Sequence, residues 1–148
     1  MCCNQLIKIL GATDSEGCFD NSNVAKENGK EFRINTKKTL CRIKNDGCLT
    51  TSNTENKCDY IFKVCETSEI LLVELKGGDF ATALDQIIAS YKKIYSKLIA
   101  GHPAYKGYII SSSVPAAAEQ KFRKLKEKCK KDHNLIVDKK HFKCEIII

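Results

Sequence analysis

Cys58-Asp59-Tyr60-Ile61-Phe62-Lys63-Val64-Cys65 and, after four polar residues, Ile70-Leu71-Leu72-Val73-Glu74-Leu75-Lys76 decide how this chain is read. The first stretch alternates, with Tyr60, Phe62 and Val64 on one face, as a strand of period two requires. The second is rich in strand formers and apolar on both faces from Ile70 to Val73, which marks an interior strand. Two strands joined by Glu66-Thr67-Ser68-Glu69 make an antiparallel hairpin. Setting Cys65 opposite Ile70 places Ile61 opposite Glu74 and Asp59 opposite Lys76. Asp59 is then diagonal to Glu74 on one face of the sheet, and Lys76, two residues on, shares that face.

Charged groups at the end of an apolar strand are costly to bury unless compensated. Two carboxylates brought together repel, and a divalent cation resolves that repulsion. Hard oxygen ligands in small number suit Mg²⁺ or Mn²⁺, which keep several waters and can meet a phosphate. The competing reading is a surface ion-pair cluster at a sheet edge. Glu-x-Lys alone says little, because it also occurs at Glu55-Asn56-Lys57 and Glu119-Gln120-Lys121. Only Glu74-Leu75-Lys76 sits in a hydrophobic strand, after an aspartate-headed strand and before an amphipathic helix.

That helix follows Gly77-Gly78, with Asp79 as N-cap. Apolar residues at Phe80, Ala83, Leu84, Ile87, Ile88, Tyr91, Ile94, Tyr95, Leu98 and Ile99 set its stripe, with both tyrosines assigned to the core. Gly107–Ser113 reads as a strand. Pro115 opens a second helix whose buried stripe is Ala118, Phe122, Leu125 and Cys129. Leu135–Val137 and Phe142–Ile148 close the chain as strands. Upstream, Leu6–Leu10 is a short apolar run, and Asn21–Asn28 reads as a short helix closed by Gly29. Phe32–Lys44 is strand-like in part, Asn45-Asp46-Gly47 is a turn, and Thr50–Lys57 is a polar loop. The expectation is one α/β domain over residues 1–148, a central mixed sheet flanked by helices.

At these residues the chain resembles the PD-(D/E)XK nuclease superfamily. The resemblance rests on Cys58-Asp59-Tyr60-Ile61-Phe62, Leu71 to Gly77, the Asp79–Ile99 helix and the Tyr108–Ile110 strand, and covers roughly Leu40 to Ser113, half the chain. It implies a restriction-endonuclease-like core of helix, three strands, helix and strand (α-βββ-α-β), here with a C-terminal helix and strands added. It implies Asp59 and Glu74 as metal ligands for Mg²⁺ or Mn²⁺, the Leu75 carbonyl as a third, and Lys76 as the group that orients water or stabilises charge at phosphorus. The implied activity is phosphodiester hydrolysis in nucleic acid, DNA ahead of RNA, with a homodimer as a common arrangement among small relatives. The chain departs from the pattern in three ways. Cys58 stands where the family has proline. Gln86 and Tyr91 are five apart rather than four. The first-helix acid has only Glu27 and Glu31 as candidates, with Asp46 as another acid able to approach the site.

Charge points the same way. The chain carries a formal +7, and Lys121 to Lys143 holds ten basic residues against three acids, so this segment contains the whole excess. Lys121, Lys124, Lys128 and Lys131 are the candidate phosphate-binding residues. A non-catalytic module of the same fold, binding nucleic acid or protein through this basic half, is the alternative function. The nine cysteines are odd in number, and none form Cys-x-x-Cys. They read as reduced, half-buried thiols in a cytoplasmic protein. No apolar run is long enough to span a bilayer, so no membrane partner is expected.

Overall fold

The computed structural model describes residues 2–11, 17–48, 57–67, 69–75, 80–96, 104–112 and 116–148. The elements run α1 (Cys2–Ile9), β1 (Phe19–Asp20), β2 (Val24–Glu27), β3 (Lys30–Asn35), β4 (Leu40–Lys44), β5 (Tyr60–Val64), β6 (Ile70–Glu74), α2 (Phe80–Tyr95), β7 (Tyr105–Ser111), α3 (Ala116–His133), β8 (Ile136–His141) and β9 (Lys143–Ile147). Six strands form a mixed sheet in the order β1-β4-β5-β6-β7-β8. The pairs from β1 to β6 are antiparallel, and β6-β7 and β7-β8 are parallel, each parallel step crossing through a helix. β2, β3 and β9 form a second, three-stranded sheet.

Side-chain alternation in the main sheet separates two cores. Ile43, Ile61, Ile70, Leu72, Ile109 and Val137 pack with Leu6, Ile87 and Phe122 from the three helices. Phe62, Val64, Leu71, Val73, Tyr108 and Ile110 pack instead with Ala25, Phe32, Ile34 and Cys144 of the small sheet. All three helices therefore cover one face and β2-β3-β9 covers the other, which corrects the expectation of a sheet flanked by helices. Gly107 lets α2 approach β7: a Cβ there would meet Ile87 Cγ2 at 3.0 Å and Val137 Cγ2 at 3.2 Å.

Two further expectations change and one is sharpened. Asn21–Asn28 is not a helix, because Val24–Glu27 pairs with β3 as a hairpin. Its turn is Asn28-Gly29, both at positive φ (52° and 73°), as a tight two-residue hairpin turn requires. Phe32–Lys44 holds two strands belonging to different sheets. The cysteines are not all reduced: Cys3 is bonded to Cys41 and Cys18 to Cys48, with Cα separations of 5.2 and 5.6 Å, and Cys65 is also disulfide-bonded. Chain spacing hides these pairs because α1, β1 and the turn after β4 meet only in the fold. Cys58, Cys129 and Cys144 are free and buried.

Thr50–Lys57 lies outside the described residues except for Lys57, as do Lys76, Asp79, Leu98, Ile99 and Pro115. No helix among the described residues is long and apolar enough to cross a membrane.

Candidate active site

The hairpin closes one residue earlier than expected. Val64 N–H donates to the Glu69 carbonyl at 2.9 Å, and Cys65 N–H turns instead to the Thr39 carbonyl at 2.9 Å. Tyr60 is therefore opposite Val73, and Ile61 is opposite Leu72 rather than Glu74. Continued one residue outward, this register sets Asp59 directly opposite Glu74. Glu74 follows the alternation of Ile70 and Leu72 onto the helix-covered face, and Asp59, in the bend just before β5, follows Cys58 of the same helix-side core.

Asp59 is 1% exposed and Glu74 is 0% exposed. Glu74 ends β6 and Asp59 immediately precedes β5, the two central strands, and both are buried, so the sheet-edge surface cluster is ruled out. Asp59 is held along its whole length. Its Oδ2 accepts the Leu75 N–H at 2.8 Å. Its carbonyl accepts the N–H groups of Asn45 and Asp46 at 3.0 and 3.3 Å. Its Oδ1 is buried with no hydrogen-bond partner among the described residues. Leu75 thus contributes its backbone at this point, while its side chain packs on the opposite face.

A buried polar network lies behind Asp59. Asn45 Nδ2 donates to the Cys58 carbonyl at 2.9 Å and to Ser90 Oγ at 3.3 Å, and Cys58 N–H donates to Ser90 Oγ at 2.9 Å. Burial pushes the Cys58 thiol up to about 12; the hydrogen bond with Ser90 opposes this, and the Glu74 and Asp59 carboxylates add to it. Cys58 is therefore a protonated, inert group whose backbone positions its neighbour. Sequence reading passed over Ser90 and Asn45. The available signal was Ser90 itself, a hydroxyl in the apolar stripe between Ile87 and Ile94 of α2. Ser111, two residues beyond the Ile109 that pairs with Glu74, is also buried on this face, and its Oγ has no partner among the described residues.

The other acids separate clearly. Asp46 adjoins the site through its backbone, and its carboxylate lies 3.8 Å from Lys57 Nζ. Glu27 and Glu31 belong to the β2-β3 hairpin of the small sheet, and Glu31 is paired with Lys26 at 3.2 Å and Arg33 at 3.4 Å. They cannot serve as the missing acid, because the main sheet stands between them and Asp59. No group of three or more His, Cys, Asp or Glu able to hold a metal occurs among the described residues. Two buried carboxylates, one with an unused oxygen, nevertheless fit a hard divalent cation completed by a backbone carbonyl and water. Lys76 lies outside the described residues.

Lys121, Lys124, Lys128 and Lys131 are all exposed on α3. Their spacing of three, four and three residues makes one stripe. Glu119 bonds Lys139 at 2.6 Å and Lys126 bonds Asp138 at 2.7 Å, both toward β8. The stripe lies on the opposite flank of the helix, toward α2. α3 begins at the sheet end that carries Asp59 and Glu74, so the stripe leads away from the acid pair. No family model, curated protein or solved structure matches this chain.

Proposed function

We propose that this chain is a divalent-metal-dependent nuclease of the PD-(D/E)XK type, acting on nucleic acid with DNA as the first substrate class. The observation that carries the reading is that two buried acids meet at the ends of the central strands, Asp59 accepting the N–H of Leu75, the residue after Glu74. The element order supports it: α1, then β4, β5 and β6, then α2 and β7 repeat the helix, three-strand, helix, strand order of that superfamily, with β1 to β3 inserted. Asp59, Glu74 and the Leu75 carbonyl would hold Mg²⁺ or Mn²⁺. Such an ion, when bound, supplies an acidified water and neutralises charge developing at phosphorus. The chain's own groups do the rest. The Leu75 N–H fixes the Asp59 carboxylate, Asn45 and Ser90 hold the Cys58-Asp59 backbone, burial excludes bulk water, and Lys76, two residues after Glu74 in the sequence, would orient the attacking water. The α3 lysines bind phosphates, giving sequence-independent, salt-sensitive affinity.

The absence of a three-acid cluster among the described residues favours a second reading, a non-catalytic nucleic-acid-binding module of the same fold. The cystines also bear on where the chain works. Structural disulfides persist in oxidising compartments, which weighs against the cytoplasmic location expected from the sequence. The deciding experiment incubates single- and double-stranded DNA and RNA with Mg²⁺ or Mn²⁺ and compares the unaltered chain with Glu74→Gln and Lys76→Ala. Cleavage lost in both variants supports the nuclease. Strand binding without cleavage by the unaltered chain supports the module, and equal cleavage in all three forms refutes the assigned roles.

A further inference from the structure

An open cavity of about 410 Å³ lies at the other end of β7 from the acid pair, lined by Tyr91, Tyr95, Tyr105, Lys106, His133 and Ile136 among others. Tyr91 is its hub, with ring centroids of Tyr95, Tyr105 and His133 at 5.5, 4.9 and 5.7 Å. Its hydroxyl donates to the His133 carbonyl at 3.1 Å, which ties α2 to the end of α3. Tyr91 and Tyr105 are buried, and the Tyr105 hydroxyl has no hydrogen-bond partner among the described residues. Tyr95 is different: helical spacing assigns it to the core, yet it is 48% exposed. Two fixed rings thus back a third whose surface is open.

The surroundings of this aromatic wall are cationic. Lys106 lines the cavity, and the helix turns that flank it carry Lys92 and Lys93 in α2 and Lys130 and Lys131 against the single Asp132 in α3. A cationic ligand would be repelled, whereas one that is both flat and anionic meets a stacking surface and a counter-charge together. We propose that this cavity takes a base of single-stranded nucleic acid stacked on Tyr95, with the adjoining phosphates held by the lysines of α3. The strand then follows the Lys131, Lys128, Lys124 and Lys121 stripe toward Asp59 and Glu74. A duplex is excluded because its bases offer no free face, whereas stacking on an exposed aromatic is how single strands are held. The inference rests on the nucleic-acid reading above and adds the form of the substrate and an anchor remote from the cleavage site.

The test measures affinity for a single DNA strand of about twelve nucleotides, longer than α3 at about 3.4 Å per nucleotide. A fully abasic strand of equal length and adenosine monophosphate serve as comparison ligands. Tyr95 is half exposed, so Tyr95→Ala leaves the fold intact. The expected result is a roughly tenfold loss of affinity for the intact strand in Tyr95→Ala and no change for the abasic strand. Changing the four stripe lysines to glutamine should weaken both strands. If Tyr95→Ala leaves the intact strand unaffected, or weakens both strands equally, the cavity assignment falls while the nucleic-acid reading stands. If the unaltered chain binds no strand, both fall. Adenosine monophosphate binding as tightly as the strand would overturn the path along α3.

Discussion

Replacing Asp59 by asparagine separates a metal site from a structural anchor. The side-chain carbonyl still accepts the Leu75 N–H, now at 2.8 Å to Oδ2. An amide group replaces the Oδ1 that has no partner among the described residues. One charge of the opposed pair is lost. With both carboxylates ionised about 5 Å apart and an effective dielectric of about 20, their repulsion is about 3 kcal/mol. Asp59→Asn should therefore stabilise the metal-free chain by up to about 3 kcal/mol, or about 6–12 °C in Tm for a chain of this size. The assay is thermal unfolding by circular dichroism in chelator and across a Mn²⁺ series. The unaltered chain should gain about 2.7 kcal/mol at a hundredfold excess of Mn²⁺ over its dissociation constant, and the variant should gain nothing. A variant that melts lower in chelator, beside an unaltered chain indifferent to Mn²⁺, would show that Asp59 only braces the β5-β6 pair.

Three more outcomes follow from the same geometry. Ser90→Ala removes the acceptor of the Cys58 N–H and strands a buried donor; urea denaturation should show a loss of about 1–3 kcal/mol. Cys41→Ser opens a crosslink between residues 38 apart, and denaturation without reductant should show a loss of about 4 kcal/mol on the chain-entropy account. The Cys58 thiol is raised from 9.0 to about 12 in the fold, so the folded state holds its proton more tightly than the unfolded chain does. Its contribution to stability is full below pH 9.0 and is lost as pH climbs toward 12, which a pH series of melting temperatures above neutrality should record.

Much of the main sheet was legible because burial writes a strong pattern. Ile70 to Val73, apolar on both faces, is β6, a central strand, and the stripe from Ala83 to Ile94 is α2. The burial of Glu74 was also legible, because the apolar run before it marks an interior strand. Register itself was not, since Cys65 answers to Thr39 just before β4, a contact between distant parts of the chain. Asn28-Gly29 carried a hairpin signal, yet a glycine after a short mixed segment also fits a helix C-cap, and only pairing with β3 decides between them. Tyr91 and Tyr95 share helical spacing but not burial, because α2 outruns the sheet edge that covers Tyr91. Ser90 and Asn45 stayed hidden for a simpler reason: a polar network is defined by who meets whom, and residue spacing does not record that.

The central claim is that a divalent ion belongs between Asp59 and Glu74. Anomalous diffraction from crystals soaked in Mn²⁺ tests it most directly. The account predicts one strong peak within bonding distance of both carboxylates and of the Leu75 carbonyl, absent in Glu74→Gln crystals treated alike. A fully soaked crystal with no peak between the two acids would contradict it.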